Sequence, residues 1–470
     1  MSSRYITYAL QFITTLIIAV KLGPAEFGIW SFVLLVVNFF NIIDFGVSNS
    51  VNITLVHDRN DSAICDTHVK SALVVNALLS LFVVLLYLVC RFVHIPLIAK
   101  YQADSYLFLI LLIVVLAYFN KSFASIYRVR NKLLEVALYQ SVIPVFLFLS
   151  VLLFKENLLI YLVGSYLVGH LIVLAVFLLG GEIHFSGSLS RRDIKTQTQK
   201  GFWLFMYNSA FYLILYLSAL IVSVYYAVDE YGKYNFSGTL SHAIVLLIDA
   251  FGFIIFPKLI DRLSGHDSNV NEDRIKNIRL NYITLVDSLI YLALPVFFYF
   301  CIIMKNYEDT GITLCYAALS LIPYAAAFGI NTFLIAQNEE KRLSMMSIAC
   351  LLFNTVIVLM AVKYLSVAYY WVYVCVLLTN SIYTFLCTLM MWKKWGRKLN
   401  LVAVFLFAFP IKHLIPFLIA IPAIYFAFAL NVSVILLAPL MVYLLMNWRD
   451  FSEVVGSVVK VVYHPNVVDL

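Results

Sequence analysis

Apolar residues form runs of about 20 positions along almost the whole chain, and short polar segments separate these runs. A helix must be about this long to cross a hydrocarbon core of roughly 30 Å. Membrane barrels instead show shorter segments in which apolar and polar positions alternate, and the sequence lacks this alternation. Because every backbone polar group must be paired inside lipid, the runs predict membrane-spanning α-helices.

The pattern predicts about fourteen such helices. They lie near residues 5–21, 28–55, 71–97, 105–125, 134–154, 157–180, 201–225, 235–256, 281–304, 311–336, 343–364, 367–390, 401–428 and 431–447. The first run follows a single basic residue, Arg4, and no small-residue cleavage pattern follows it, so we interpret it as a retained helix. Longer polar loops are predicted at 57–70, 181–200 and 257–280.

The composition agrees with this membrane assignment. Hydrophobic residues make up 63% of the 470 positions and charged residues only 12%, whereas a soluble domain carries about 25% charged residues. Most of the 32 Lys and Arg residues fall on one side of the predicted helices, among them Arg128, Arg130 and Arg279. Positive charge marks cytoplasmic loops, so the asymmetry predicts that both termini are cytoplasmic.

An internal repeat indicates two related halves. Residues 26–32 read Glu-Phe-Gly-Ile-Trp-Ser-Phe, and residues 230–236 read Glu-Tyr-Gly-Lys-Tyr-Asn-Phe. Farther on, Ile-Asp-Phe-Gly at 43–46 is echoed by Ile-Asp-Ala-Phe-Gly at 248–252. The copies stand six helices apart and share one orientation, an arrangement typical of transporters with parallel lobes.

The predicted fold is therefore an all-α polytopic membrane protein of two six-helix bundles, related by a pseudo-twofold axis, with an extra helix pair. We assign residues 1–190 to the N-terminal lobe, 191–392 to the C-terminal lobe, and 393–470 to the extra pair and a cytoplasmic tail. A substrate site between the lobes and alternating access by rocking follow from this design.

Acidic residues at membrane depth are costly unless they face water or a partner, so they are candidates for the polar lumen or for ion coupling. The candidates, with the amides that accompany the first of them, are Asp44, Asn41, Asn49, Asp249 and Asp287. The alternative is that these carboxylates only form interhelical hydrogen bonds or lie near helix ends. Neither the seven cysteines nor the nine histidines show metal-ligand spacing. We expect no metal and no cofactor.

Five basic residues are candidates for substrate binding: Arg4, Lys21, Lys121, Arg128 and Lys412. In an aqueous cavity such charges suit a pyrophosphate headgroup, because Arg offers bidentate contacts and Lys a point charge. Snorkelling to the interface is the alternative for Lys21, and ordinary topological charge is the alternative for Arg128. No Walker A, GxSxG or strand-linked GxGxxG motif occurs, so we expect a protein that is not an enzyme.

Residues 21–32, Lys-Leu-Gly-Pro-Ala-Glu-Phe-Gly-Ile-Trp-Ser-Phe, and the later Asp-Phe-Gly at 44–46 resemble the opening signature of Wzx-type polysaccharide flippases. These belong to the multidrug/oligosaccharidyl-lipid/polysaccharide (MOP) exporter superfamily, and chain length, helix count and repeat extend the resemblance to nearly the whole chain. Many members carry an Arg three residues before the Gly of this signature. This chain has Val20 there, followed by Lys21.

The resemblance implies a bacterial inner-membrane protein that moves undecaprenyl-pyrophosphate-linked repeat units of O-antigen or another surface polysaccharide outward. The implied partners are the lipid-linked oligosaccharide, membrane lipid and polysaccharide polymerases, and nucleic acid is not expected. One alternative is a drug/cation antiporter of the same superfamily, which would need acidic cavity walls. Another is a polytopic polysaccharide polymerase, which usually needs longer external loops than those at 23–27 and 305–310.

Overall fold

The structure is a computed structural model, and it describes residues 2–42, 44, 46–47, 51, 54–55, 62–93, 95–183, 191–244, 268–337 and 339–463. The chain divides into two compact units, residues 1–232 and 233–470. The boundaries at 190/191 and 392/393 were predicted from the internal sequence repeat, whereas the two compact units are defined by contacts in space. The predicted boundaries therefore stay predictions.

The first unit is built from seven α-helices and the start of an eighth among its described residues. They are α1 (Ser2–Ile42), α2 (Ser62–Phe92), α3 (Pro96–Lys100), α4 (Leu107–Val129), α5 (Leu133–Leu153), α6 (Leu158–Leu179), α7 (Arg191–Tyr225) and α8 (228–244). A 3-10 turn, Ala103–Ser105, links α3 to α4.

Helix α1 contains the first predicted span, 5–21, and residues 28–42 of the second, joined at a kink; the second predicted span, 28–55, is therefore wrong in its end, because the helix stops at Ile42. Gly23 adopts φ 69° and ψ 174°, and Pro24 follows it inside the helix. Proline lacks an N–H and its ring clashes with the carbonyl four residues earlier, while glycine alone tolerates positive φ without steric cost. The Gly-Pro pair of the sequence signature therefore sets the angle between the two spans.

Helix α4 lies in the interior of the first unit, against α1, α2, α5 and α6. Interhelical hydrogen bonds fix its position: Asn120 Nδ2 donates to His170 O at 2.9 Å, and Asn76 Nδ2 donates to Ser122 Oγ at 2.8 Å. In lipid such bonds and close packing hold helices together, because the tails are as apolar as leucine. Helix α2, by contrast, leaves large apolar side chains exposed for lipid: Leu78, Leu81, Phe82, Leu85, Leu88 and Val89.

The second unit continues from α8. Its further helices are α9 (Ser268–Ile303), α10 (Gly311–Leu319), α11 (Leu321–Ala326), α12 (Phe328–Ala336), α13 (Glu340–Lys363), α14 (Trp371–Lys394), α15 (Leu401–Ala408), α16 (Ile411–Ala429) and α17 (Leu437–Tyr463). Turns of 3-10 helix, Lys305–Thr310 and Ser433–Leu436, precede α10 and α17. Helix α9 packs on α10, α11, α12 and α17, and α16 packs on α17.

Eleven helices of the described residues are long and apolar enough to cross a membrane. The all-α polytopic fold is thereby confirmed, and the protein is a multi-pass membrane protein. Several predicted bounds are wrong. The span at 401–428 breaks at Phe409-Pro410, and the last helix runs to Tyr463. The span at 311–336 is correct in its bounds, and it consists of the three short helices α10, α11 and α12. The predicted loops at 57–70, 181–200 and 257–280 turn helical at residues 62, 191 and 268, because hydropathy marks the lipid boundary and not the helix end.

Candidate functional site

A buried ion pair lies where α1 ends. Lys121 Nζ on α4 lies 2.6 Å from Asp44 Oδ2 and donates a second hydrogen bond to the Asn41 carbonyl at 3.2 Å. The Asp44 side chain is only 4% exposed, whereas that of Lys121 is 37% exposed. The carboxylate is thus removed from water while the ammonium remains accessible. Three of the predicted site residues come together here.

The turn after α1 presents the Asp44 carboxylate. Asp44 Oδ1 accepts a hydrogen bond from the Gly46 N–H at 2.9 Å, and the Asp44 carbonyl accepts one from the Val47 N–H at 3.1 Å. Gly46 adopts φ 74°, a left-handed conformation that favours glycine. The Asp-x-Gly spacing at 44–46 therefore builds the turn and also fixes one carboxylate oxygen, which leaves the other for Lys121.

Neighbouring side chains on α4 hold Lys121 in place. Tyr118 Oη donates to the Phe40 carbonyl at 3.0 Å and so ties α4 to α1. Ser122 accepts from Asn76 and so ties α4 to α2. These bonds lie on either side of Lys121 along α4. The packing of α1, α2 and α4 therefore positions the ammonium, in addition to the conformation of the lysine side chain.

The other predicted cations of the first unit are Lys21, Arg128 and Arg4. Lys21 is exposed, and its Nζ donates to the Val151 carbonyl at 2.5 Å near the C-terminus of α5, where a cation complements the helix dipole. Arg128 is exposed in the last turn of α4. Arg4 lies on α1, with its side chain outside the described part of the structure. Their role in substrate binding stays a prediction.

A charge network follows Arg128 at the end of α4. Arg130 Nη1 lies 3.1 Å from Glu182 Oε2, and Lys132 Nζ lies 3.2 Å from Glu182 Oε1. Hydrogen bonds from Arg130 and Lys132 lower the pKa of the Glu182 carboxyl, and the bond from Arg130 has the larger effect. The network's contribution to stability is therefore present above the unfolded-state pKa of Glu182 and is lost as the pH falls through its folded-state pKa.

In the second unit, two predicted residues have close partners. Lys412 Nζ lies 3.1 Å from Asp450 Oδ2 near the start of α16. Asp287 on α9 is fully buried, and its Oδ2 lies 2.9 Å from His413 Nδ1. Asn49 and Asp249 lie outside the described residues, so their roles remain predictions.

Two further side chains, those of His413 and Arg279, are buried with polar partners and were not among the predicted site residues. No sequence pattern indicated His413, because its partner Asp287 is 126 positions away.

Arg279 was interpreted as a topological charge, but it is only 4% exposed and donates from Nε to the Ala326 carbonyl at 2.8 Å. Its Nη1 and Nη2 donate to the Phe407 and Ala408 carbonyls at the end of α15. Pro410 was the available signal, since a proline inside a span frees carbonyls that need a donor.

The two copies of the repeated Glu-aromatic-Gly motif contact each other within the first unit. A methyl group on Gly28 would overlap the Val228 carbonyl, and one on Gly232 would overlap the Pro24 carbonyl. Tyr231 Oη also donates to the Ser31 carbonyl at 3.4 Å. The glycines of the motif therefore permit backbone contact between α1 and α8, as small residues do in membrane helix packing.

We expect Gly28→Ala and Gly232→Ala to destabilise the protein by about 1–3 kcal/mol each, because overpacking at a backbone contact forces the helices apart. Thermal unfolding in detergent, followed with a thiol-reactive dye, measures this loss. Gly164→Ala is the matched control, because a methyl group there meets nothing within 4 Å. Unfolding of Gly28→Ala at or above the wild-type temperature would contradict the contact.

All seven cysteines are free thiols, and the described residues contain no group of three or more His, Cys, Asp or Glu placed to hold a metal ion. The Asp44 site contains an ammonium–carboxylate pair. An accessible cation on a buried carboxylate can bind an anionic group and can release it when the carboxylate competes for the same ammonium.

Comparison with known proteins identifies the family. A family profile described as "Polysaccharide biosynthesis protein" matches residues 1–261, more than half of the chain. The chain belongs to this family. The matched region includes Asp44, Lys121 and the Gly28–Gly232 contact. No curated protein matches the chain at a significant level.

Solved structures share the fold of this family member at low sequence identity. The lipid II flippase MurJ in an inward closed conformation gives a TM-score of 0.66 at 15% identity, covering 97% of this chain and 98% of that one. An inward-facing multidrug resistance MATE family transporter of the MOP superfamily gives 0.63 at 13% identity, covering 84% and 98%. A MOP superfamily transporter from Pyrococcus furiosus gives 0.52 at 12% identity, covering 84% and 95%. The fold that the sequence resemblance implied is thereby confirmed.

Proposed function

We propose that this family member is a flippase for lipid-linked oligosaccharides, and that its cargo is an undecaprenyl-pyrophosphate-linked repeat unit of O-antigen or another surface polysaccharide. The protein acts in the bacterial inner membrane by alternating access, with both termini cytoplasmic. It catalyses no covalent step and moves the headgroup while the lipid tail remains in the bilayer. Polysaccharide polymerases are its proposed downstream partners.

The observation that carries this proposal is the Lys121–Asp44 pair within the family-matched region. An ammonium has three donors, and the contacts to Asp44 and Asn41 use two of them. With its side chain 37% exposed, Lys121 can offer the third donor to a pyrophosphate oxygen. A phosphate oxygen binds an ammonium by a charge-assisted hydrogen bond, which is roughly twice as strong as a neutral one.

Asp44 gives the site its reversibility. A cation that binds pyrophosphate too tightly would retain the headgroup, and transport requires release on the other side. Asp44 Oδ2 competes for the same ammonium at 2.6 Å, so departure of the headgroup leaves the ammonium with its carboxylate partner. The Asp44 turn also ends α1, and a helix end is an element that can shift when its charge balance changes.

A drug/cation antiporter is the second candidate, and the buried carboxylates of Asp44 and Asp287 favour it. The MATE family transporter that shares the fold supports the same interpretation. The two candidates differ in the sign of the cargo. A flippase binds an anion at Lys121, and an antiporter binds a cation at a carboxylate that must first be freed from its partner.

The purified protein in liposomes tests the proposal. A fluorescent undecaprenyl-pyrophosphate oligosaccharide is placed in both leaflets, and an impermeant quencher added outside reports movement from the inner leaflet. We expect quenching of the full pool in protein-containing vesicles and of about half in protein-free vesicles. Labelled phosphatidylcholine is the matched control cargo and should remain half protected. Equal movement of both lipids, or export of a cationic dye instead, would contradict the proposal.

A further inference from the structure

A carboxylate–imidazole pair is buried in the second unit, away from the Lys121 site in sequence. Asp287 on α9 is 0% exposed and His413 on α16 is 4% exposed, with Oδ2 and Nδ1 2.9 Å apart. The outer atoms of the pair, Asp287 Oδ1 and His413 Nε2, are buried and have no hydrogen-bond partner in the part of the chain that the structure describes. Both halves of the pair therefore retain unused hydrogen-bonding capacity.

Polar groups around the pair are also incompletely satisfied. The Thr284 Oγ1 and Tyr291 Oη atoms are buried without partners among the described residues. Tyr443 Oη donates to the Thr284 carbonyl at 2.7 Å, and the Tyr291 and Tyr443 rings lie 5.2 Å apart. A buried polar group is destabilising if nothing pairs with it. Several of them around one ion pair indicate a site that binds something small and polar.

The pair adjoins a break between two helices. Helix α15 ends at Ala408, and α16 begins at Ile411 after Phe409 and Pro410, which places His413 in the first turn of α16. A cavity of about 20 Å³ lies at this break; His413 is its one ionisable lining residue, and the rest of its lining is apolar, including Pro410, Phe417 and Pro323. This volume holds about one water molecule. Discontinuous helices in transporters place such helix ends at ion sites.

We propose that Asp287 and His413 form a proton-binding site whose proton exchanges with water in the cavity beside the α15–α16 break. In the loaded state an imidazolium faces a carboxylate, and the pair is neutral. On release, His413 gives one proton to water, which becomes hydronium, and the pair is left as a neutral imidazole beside a carboxylate. No electron transfer occurs and no covalent bond other than N–H and O–H changes.

Charge makes this release depend on conformation. A buried carboxylate without a cation is strongly destabilising, so the unloaded pair favours a state in which water reaches Asp287. Pro410 at the break removes a helix hydrogen bond and so provides a point where α15 and α16 can separate. By reciprocity, any movement that opens the break promotes proton release, and proton release promotes opening.

The groups around Asp287 do not replace His413 as its counter-ion. The titratable groups that interact electrostatically with Asp287 are His413 on α16, Tyr443 on α17 and Tyr291 on α9 itself. Lys412 is paired with Asp450, and Arg279 is bonded to carbonyls at the end of α15. The imidazole is thus the group that balances Asp287.

Proton binding is tested first without substrate, so its outcome is independent of the proposed flippase activity. Infrared difference spectra of the purified protein, taken between low and high pH, are expected to contain imidazole bands and a shifted carboxylate stretch, and both disappear in Asp287→Asn and His413→Gln. The matched control is Asp309→Asn, which removes a 62% exposed carboxylate that pairs with Lys233. Bands that survive both site variants, or a wild type without them, would overturn the proposal.

The coupling to transport rests on the proposed function and is tested in the liposome assay. A gradient of one pH unit corresponds to 1.36 kcal/mol, about tenfold in an equilibrium for one coupled proton. We expect wild type to change its leaflet distribution by up to tenfold per pH unit, and Asp287→Asn to move lipid without responding to the gradient. A variant that still responds, or a wild type that responds to a sodium gradient instead, would overturn the coupling. Thiol-dye unfolding temperatures confirm that each variant is folded.

Discussion

Lys121→Met is expected to abolish transport and to destabilise the protein by about 3 kcal/mol, whereas Asp44→Asn should cost much less stability. The asymmetry follows from burial. Without Lys121 the carboxylate of Asp44, 4% exposed, loses the ammonium that lies 2.6 Å from its Oδ2, and removing one partner of a buried ion pair costs several kcal/mol. In Asp44→Asn, Lys121 remains 37% exposed and solvated, and the amide oxygen of the new side chain can still accept from the Gly46 N–H.

The double variant Asp44→Asn/Lys121→Met separates stability from substrate binding. Removing both charges of a buried pair is often neutral for folding, so the unfolding temperature should return towards that of wild type. Transport should remain at least about tenfold below wild type, because the loss of a charge-assisted bond worth about 1.5–3 kcal/mol lowers binding by that factor or more. A double variant that folds and transports normally would show that Lys121 is structural, and the cationic-site proposal would be wrong.

The sequence predicted the residues of this site but not their assembly. The sequence predicts Asp44 as an acidic residue of the lumen and Lys121 as a cation that binds substrate. It does not predict that the two side chains pair directly. The residues stand 77 positions apart on different helices, and hydropathy does not fix which faces of two helices meet. The structure shows that the Asp44 carboxylate and the Lys121 ammonium form one ion pair, in which each group offsets the charge of the other.

The presence of the membrane-spanning helices could be predicted from the sequence, because the bilayer imposes a length on every apolar run. The predicted first and last residues of the helices were wrong where the chain leaves the bilayer. At Ser62 and Arg191 helices begin in polar sequence outside the predicted spans, where lipid sets no limit. The Gly23-Pro24 kink and the Pro410 break could be predicted, because they depend on the local backbone chemistry of proline and glycine.

Arg279→Gln is expected to destabilise the second unit by at least about 3 kcal/mol and to lower its unfolding temperature by about 10 °C. Arg279 donates to three carbonyls, those of Ala326, Phe407 and Ala408, and its guanidinium lies 5.0 Å from the centre of the Phe407 ring. The break at Pro410 leaves the last carbonyls of α15 without helical donors. Each buried acceptor that loses its partner costs about 1–3 kcal/mol.

The measurement uses cysteines of the second unit as reporters, since Cys301, Cys315, Cys350 and Cys387 are buried and free. Lys276→Gln is the matched control, because it makes the same substitution less than one turn earlier on α9 at an exposed position. Arg279→Lys should fall between the two, because an ammonium keeps the charge but cannot reproduce the planar fork that spans three acceptors. If Arg279→Gln unfolds at the temperature of Lys276→Gln, the α15 carbonyls must find other partners. The break would then be held by packing around Phe407 and Pro410, and the guanidinium would be free for a role in transport.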